Sequence, residues 1–582
     1  METRACKNCK QDFMLDADDF SFYEKMKVPP PTWCPECQFI RRMVFRNQNT
    51  LYKRTNNAPG KDGQKIISIY SDDKPLVVYD RETWWGDSWD PYTYGKDIDF
   101  SRPFFEQVKE LIQEVPWPSL MNWNAIGSDY CNCTSDNKNC YLVFGGDYNE
   151  DCAYSTFNMH SRGSQDLYLV NKCDLCYECT DSQECYKVVF VQYSKSCTDS
   201  MFLYDCVNCT DCIGCVSLRN KSHCIWNVEY TKEEYEEKKK ELALHTRLGI
   251  TSALKQFEEF KLQFPHRYAH IIRSVDCTGD NITNGKNCVN CFDLEPGSED
   301  LKNVFLSGGE LKDSRNMSHA GHGSELLYDS FGVFAGCQHV AFSIYAKSTT
   351  NSMYVYNCSS SDHLFGCVGV RNGSYSILNK KYTKEEYEAL VPKIIEHMHS
   401  MPYVDKQGRI YTFGEFFPTE LSPYSYNETI AFDYYPLSKD DSMRKGHSWK
   451  EPEEKSYTVT VSQINVPESI ELVDEKMLNE VIECAHQGLC EGHQCSKAFR
   501  IVPQELEFYK RMNLPLPSHC PNCRHYLRLR SRNPMKLWHR SCMCKKGGHD
   551  HEGTCPNEFE TSYAPDRSEI VYCESCYQKE VN

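Results

Sequence analysis

Between about residue 128 and residue 229 the chain alternates short apolar runs with polar turns. Cys140-Tyr-Leu-Val-Phe144, Tyr186-Lys-Val-Val-Phe-Val191 and Met201-Phe-Leu-Tyr204 are separated by Asn, Asp, Gly and Ser. The runs have strand length, recur roughly every 10–20 residues and enclose no helix-length segment, the texture of a parallel β-solenoid with an inward row of small and apolar side chains. The pattern then repeats. A shift of 152 maps 193–236 onto 345–388 without a gap, pairing Tyr193, Ser200, Met201, Tyr204, Cys206 and Cys215 with Tyr345, Ser352, Met353, Tyr356, Cys358 and Cys367. Each copy ends in Tyr-Thr-Lys-Glu-Glu-Tyr-Glu, where Thr231 with Glu234 and Thr383 with Glu386 have capping-box spacing. Those signals predict a helix that closes each solenoid's open edge.

Helical spacing appears once more before the solenoids, with Pro103 ahead of Phe104, Val108, Leu111 and Ile112. The ends read differently. Lys65-Ile-Ile-Ser-Ile-Tyr70 and Val77-Val78-Tyr79 near the start match Phe559-Glu-Thr-Ser-Tyr563 and Ile570-Val571-Tyr572 near the finish, short strands about polar turns. A shift of 486 carries Cys9–Arg54 onto Cys495–Arg540, so the end modules are copies of each other. The expected order is a ribbon module at 1–98, a linking helix at 99–127, solenoids at 128–275 and 276–400, an extended Pro-, Tyr- and acid-rich linker at 401–480, and a double ribbon at 481–582.

Composition narrows the chemistry. The chain has 582 residues, 34 cysteines and a net charge of −17. No charged-then-apolar leader and no bilayer-length apolar run is present, so the cytosol is the expected compartment and reduced thiols the expected state. The acidic total disfavours the whole surface as a nucleic-acid footprint. The ends are nonetheless basic, with Arg524, Arg528, Arg530, Arg532, Lys536 and Arg540 forming an acid-free stretch. On a strand, Arg528, Arg530 and Arg532 would share one face and suit phosphates.

Paired cysteines at i and i+3, with a second pair about 25 residues on, are a zinc-ribbon signal. Cys6, Cys9, Cys34 and Cys37 form the cleanest set; Cys490, Cys495, Cys520 and Cys523 form the second, with Cys484 an alternative to Cys490. Cys542 or Cys544 with Cys555, Cys573 and Cys576 makes a third four-thiolate set, whereas the matching N-terminal positions are Asn56, Asp80 and Thr83. About three zinc ions are therefore expected, each with a filled shell and a structural role. Cys206, Cys209, Cys212 and Cys215 have iron–sulfur-like spacing, but Cys209 and Cys212 become Ser361 and Leu364 in the repeat. Most solenoid cysteines, including Cys131, Cys140, Cys152 and Cys185, accordingly read as small core residues. His549 and His551 could add metal affinity, but a mobile solvated insertion between Cys544 and Cys555 is the expected reading.

The end modules resemble a bacterial family of zinc-ribbon domains. The shared pattern is Cys6/Cys9, Phe13, Phe22-Tyr23, Pro29, Cys34-Pro-Glu-Cys37, and again Phe499, Phe508-Tyr509, Pro515, Cys520-Pro-Asn-Cys523-Arg524. The whole arrangement is similar to a group of large proteins of candidate-phyla bacteria, through Asp97-Ile-Asp-Phe-Ser-Arg-Pro-Phe-Phe105, Tyr563-Ala-Pro-Asp-Arg567 and Val571-Tyr-Cys-Glu-Ser-Cys576. The resemblance implies zinc binding and supplies no activity; a coenzyme A-transferase label carried by some members has no support in these residues. No Walker loop, dinucleotide-binding glycine turn or nucleophile elbow occurs. The expectation is a mainly β, zinc-binding, non-enzymatic scaffold that binds RNA or the ribosome through its basic ribbon strands. Alternatives are a protein-binding scaffold along the solenoid, or a metal or redox enzyme built on the first solenoid's cysteines.

Overall fold

The computed structural model describes residues 1–451, 458–490, 492 and 494–581. It contains two parallel β-solenoids, each followed by a helix, with cysteine-rich modules at both ends. In the first solenoid the register advances by 12 residues per turn: Gln165 pairs with Tyr177, Tyr177 with Val189, Val189 with Met201 and Met201 with Ile213. In the second it advances by 13 from Glu299 through Lys312 and Glu325 to Gln338, then by 12 through Thr350 and Asp362 to Ser374.

The irregular spacing of apolar runs hides a stricter period of three. Lys172, Leu175, Glu178, Asp181 and Glu184 all have left-handed backbone, with φ of 55°, 56°, 51°, 49° and 54°. Each turn of 12 residues is thus a square of four short sides. The residue after each corner points inward, and Cys173, Cys176, Cys179, Ser182 and Cys185 are all buried. Such corners cost an L-residue about 1–2 kcal/mol each, so the interior must compensate. It does so partly through inward hydroxyls and thiols that bond the next turn's backbone. Ser161 Oγ accepts from Cys173 N–H at 3.1 Å, and Cys206 Sγ donates to the Cys215 carbonyl at 3.4 Å. Outward rings also stack turn on turn, Phe190 on Phe202 at 5.2 Å and Phe342 on Tyr354 at 5.1 Å.

Helices Lys232–Glu241 and Lys384–Ser400 follow the two solenoids, and both start with the expected capping boxes at Thr231/Glu234 and Thr383/Glu386. Tyr235 meets His223 edge-on, and Tyr387 meets His363 and Tyr375, so each helix seals its last turns with one buried tyrosine. The linking helix spans Phe104–Glu114 and buries Phe104, Phe105, Val108, Leu111 and Ile112.

Each end module meets both solenoids. In the first module Val78 and Tyr79 pair in parallel with Trp117 and Pro118, just before the first solenoid starts. In the last, Ile570–Tyr572 pairs with Pro265–Arg267, just before the second. The helices of the modules cross over: Pro35–Met43 lies on the second solenoid and Pro521–Ser531 on the first. Residues 411–432, expected within an extended linker, are largely buried. Tyr411, Phe413, Phe416, Phe417, Tyr424 and Phe432 are buried in one cluster with Phe45, Phe105 and Tyr354. Their aromatics follow no strand or helix period, so no predicted element could claim them; residues 452–457 of the expected linker lie outside the described residues.

The corner geometry makes a direct prediction at Lys172, whose side chain is exposed. Left-handed backbone favours Asn and penalises β-branched side chains, so Lys172→Asn should exceed the unaltered protein in stability and Lys172→Val fall below it, over a range of about 1–2 kcal/mol. Urea titration of the three proteins reads the order.

Candidate metal centres

Cys6 follows the strand Glu2–Ala5, Cys9 ends the next turn, and Cys34 caps the Pro35–Met43 helix that carries Cys37. Proline at the first helical position needs no N–H partner, and the sulfurs of this knuckle meet one main-chain and one side-chain amide donor. Cys34 N–H donates to Cys6 Sγ at 3.2 Å and Asn8 Nδ2 to Cys37 Sγ at 3.3 Å. Cys9 and Cys34 sulfurs stand 3.7 Å apart. A tetrahedral ion with bonds of ~2.3 Å would set its thiolates about 3.8 Å apart, whereas a disulfide needs ~2.05 Å. The Cys37 thiol's hydrogen bond, opposed by burial, brings the Cys34 thiol down to about 5.

The second four-thiolate set that converges is Cys484, Cys495, Cys520 and Cys523, the alternative with Cys484 in place of Cys490. Ile482–Glu483 pairs with Ala498–Phe499 and fixes Cys484 where Cys6 sits in the first module. The matching contact recurs, Cys520 N–H to Cys484 Sγ at 3.3 Å. Two residues separate Cys6 from Cys9 but ten separate Cys484 from Cys495. Cys490 rides on that longer loop, its sulfur 3.7 Å from Cys523, with His486 completing a three-donor group. A gapless alignment beginning at Cys9 could not place the insertion.

Cys542, Cys555, Cys573 and Cys576 come together in the third set, all buried. Cys573 N–H reaches Cys542 Sγ at 3.2 Å and the Cys555 and Cys573 sulfurs lie 3.9 Å apart. Burial raises the Cys573 thiol, but donors on Ser575, Asn557 and the Cys576 backbone outweigh it and bring it to about 6. In the first module Asp80 N–H donates to Asn56 Oδ1 at 3.2 Å, Asn56 Nδ2 to Asp80 at 2.8 Å and Thr83 Oγ1 to Asp80 at 2.8 Å. Hydrogen bonds occupy the place of the metal shell. All 34 cysteines are free thiols, so three four-thiolate groups can each hold a metal ion.

Cys206, Cys209, Cys212 and Cys215 are the four inward residues of one solenoid turn, each thiol hydrogen-bonded to main-chain carbonyls. His549 departs from the expected solvated loop: its side chain is only 7% exposed.

The arginines require the largest correction. Arg528 and Arg530 lie on the helix Pro521–Ser531, not on a strand, and Arg532 is its C-cap. At helical spacing Arg524, Arg528 and Arg532 share a face, and that face is buried. Arg524 bonds Asp166 and Glu505, each at 3.1 Å; Arg528 bonds Asp166 at 2.8 Å and Glu178 at 3.0 Å. Arg532 spans the two solenoids, 2.8 Å from Asp181 and 2.6 Å from Asp293. Arg540, on the strand Trp538–Ser541, donates to the carbonyls of Tyr563 and Ala564. The first module repeats the device: Arg41 and Arg42 each reach Asp329 at 2.7 Å, and Arg41 also reaches Glu415 at 2.8 Å. Burial raises Glu178 to about 7 and Asp181 to about 6, despite the opposing pull of Arg528 and Arg532.

No family model and no curated protein matches the chain. Among solved structures, one from Desulfovibrio desulfuricans G20 described as a "putative acetyltransferase" is 10% identical, over 50% of this chain and 86% of its own. Its TM-score of 0.09 is too low to carry an argument.

Two outcomes follow. Cys484→Ser should remove one metal ion per chain while Cys490→Ser keeps the full count, as read by elemental analysis of anaerobically purified protein. Arg528→Ala leaves Asp166 and Glu178 buried without their shared partner and should cost about 3–5 kcal/mol in chemical denaturation.

Proposed function

We propose that the protein is a zinc-stabilised, non-catalytic scaffold in which each end module is a clamp, capping one solenoid and gripping the flank of the other, to present the assembled pair to a protein partner. The observation that carries this reading is the burial of the ribbon helices' arginines in carboxylates of the solenoid opposite. Zinc is the ion that suits the three sets, because it accepts four thiolates in a closed tetrahedron without redox demands. A filled shell holds no open position for an activated water, which favours structure over catalysis.

The RNA reading loses its carriers in this arrangement. Arg524, Arg528 and Arg532 are committed to internal acids, while the chain as a whole carries a charge of −17. Outward charge of that sign repels phosphate and suits a basic protein surface.

Chelation is the test. Stripping the metal should abolish amide-exchange protection in the helices Pro35–Met43 and Pro521–Ser531, while the inner turns of both solenoids stay protected. Unchanged protection of those two helices after complete metal loss would sink the clamp. Retention of RNA at physiological salt, weakening steeply as salt rises, would sink the choice of a protein partner.

A further inference from the structure

The loop between Cys544 and Cys555 carries Lys545-Lys-Gly-Gly-His549-Asp-His551-Glu-Gly553. It folds back on the last helix, Glu574–Val581, and brings both histidines to the edge of the third thiolate set. His549 Nδ1 stands 3.1 Å from Cys544 Sγ, and His551 Nε2 stands 3.4 Å from Cys576 Sγ. The four donor atoms of Cys544, His549, His551 and Cys576 lie within 4.8 Å of one another. A tetrahedral ion with sulfur at ~2.3 Å and nitrogen at ~2.0 Å would separate neighbouring S and N by about 3.5 Å. Two isolated thiol–imidazole hydrogen bonds would explain the pairs but not the convergence of all four atoms.

The outer nitrogens add an independent observation. His549 Nε2 faces Glu580 Oε1 at 3.2 Å, and His551 Nδ1 faces the Gly553 carbonyl at 3.1 Å. A ligating imidazole is characteristically oriented this way, its second N–H donated to a carboxylate or carbonyl that fixes ring and tautomer. Here both rings are so held, with the nitrogens that face sulfur left to accept a metal. A cavity of about 70 Å³ opens beside them, lined by His549, His551, Cys555, Cys576 and Lys579.

We propose that Cys544, His549, His551 and Cys576 hold a second zinc-type ion, sharing the Cys576 thiolate with the ion of Cys542, Cys555 and Cys573. The last module then carries a thiolate-bridged pair of metals. Five thiolates and two neutral imidazoles nearly balance two divalent charges, so the pair can be buried at little electrostatic cost. Cys544 and Cys576 match Ala58 and Thr83 of the first module, whose loop from Asn56 to Gln64 is also shorter. The second ion is therefore a property of this end alone. It ties the histidine loop to the helix whose Tyr577 hydroxyl meets Asp205 of the first solenoid at 2.5 Å.

Elemental analysis of the full-length chain, loaded with zinc anaerobically and freed of loose metal, tests the pair. The variant His549→Ala/His551→Ala should hold one ion fewer than the unaltered chain, about three against about four. His549→Cys/His551→Cys supplies thiolates at the same places and should restore the count, separating lost ligands from a lost fold. Equal counts in the unaltered chain and the alanine pair overturn the proposal, and so does a cysteine pair that fails to recover the ion. Neither result touches the clamp reading, which rests on the amide protection of two other helices.

Discussion

Guanidinium groups buried against carboxylates at solenoid corners fix how the parts of this protein sit together. A buried ion pair contributes little net stability, since desolvation offsets most of the attraction. Its weight lies in what misalignment would cost. The helix Pro521–Ser531 rises about 5.4 Å per turn, close to the ~4.8 Å between stacked strands. Arg524 and Arg528 both reach Asp166; Arg528 also reaches Glu178, one solenoid turn along. Arg532 then finds Asp181, the next corner of that turn. A slip by one turn on either side would strand a charge in the interior, so the contact selects one register.

That register in turn depends on the square turns of the solenoid. Corners recur every third residue in the first solenoid, and at three or four in the 13-residue turns of the second; their side chains point out, which is why Asp166, Glu178, Asp181 and Asp329 can be offered to an incoming helix. Every residue after a corner points in, which is why cysteine recurs at intervals of three. The chain thus uses Cys-x-x-Cys for two unrelated ends. In the knuckles Cys34 and Cys520 precede proline and open a helix, and their sulfurs converge. In the solenoid the same spacing steps around four sides of a square, and each sulfur turns to a carbonyl of the neighbouring turn.

Much of this was legible in the sequence. Strand-like runs, the two capping boxes and most knuckle sulfurs depend on neighbours close in the chain, and local spacing declares them. The arginines show where that stops. Arg528, Arg530 and Arg532 satisfy a strand's period of two, while Arg524, Arg528 and Arg532 satisfy a helix's period of four. Acids far off in the chain decide between them, as the 350 positions between Arg528 and Glu178 make plain. The aromatics of residues 401–451 fail for a related reason: they plug gaps between parts that the sequence places far apart.

The polar half of the first module bears on the role proposed for the thiolate sets elsewhere. Asp80 N–H meets Asn56 Oδ1 at the same 3.2 Å at which Cys573 N–H meets Cys542 Sγ. Lys61 brings its ammonium to Asp80 at 3.1 Å, a positive charge among polar groups where the other module gathers thiolates. The strand Val78–Tyr79 still pairs with Trp117–Pro118, as Ile570–Tyr572 pairs with Pro265–Arg267. On the reading proposed above, the task of a thiolate set is to hold two loops at a fixed separation, and hydrogen bonds around one cation meet the same geometric demand.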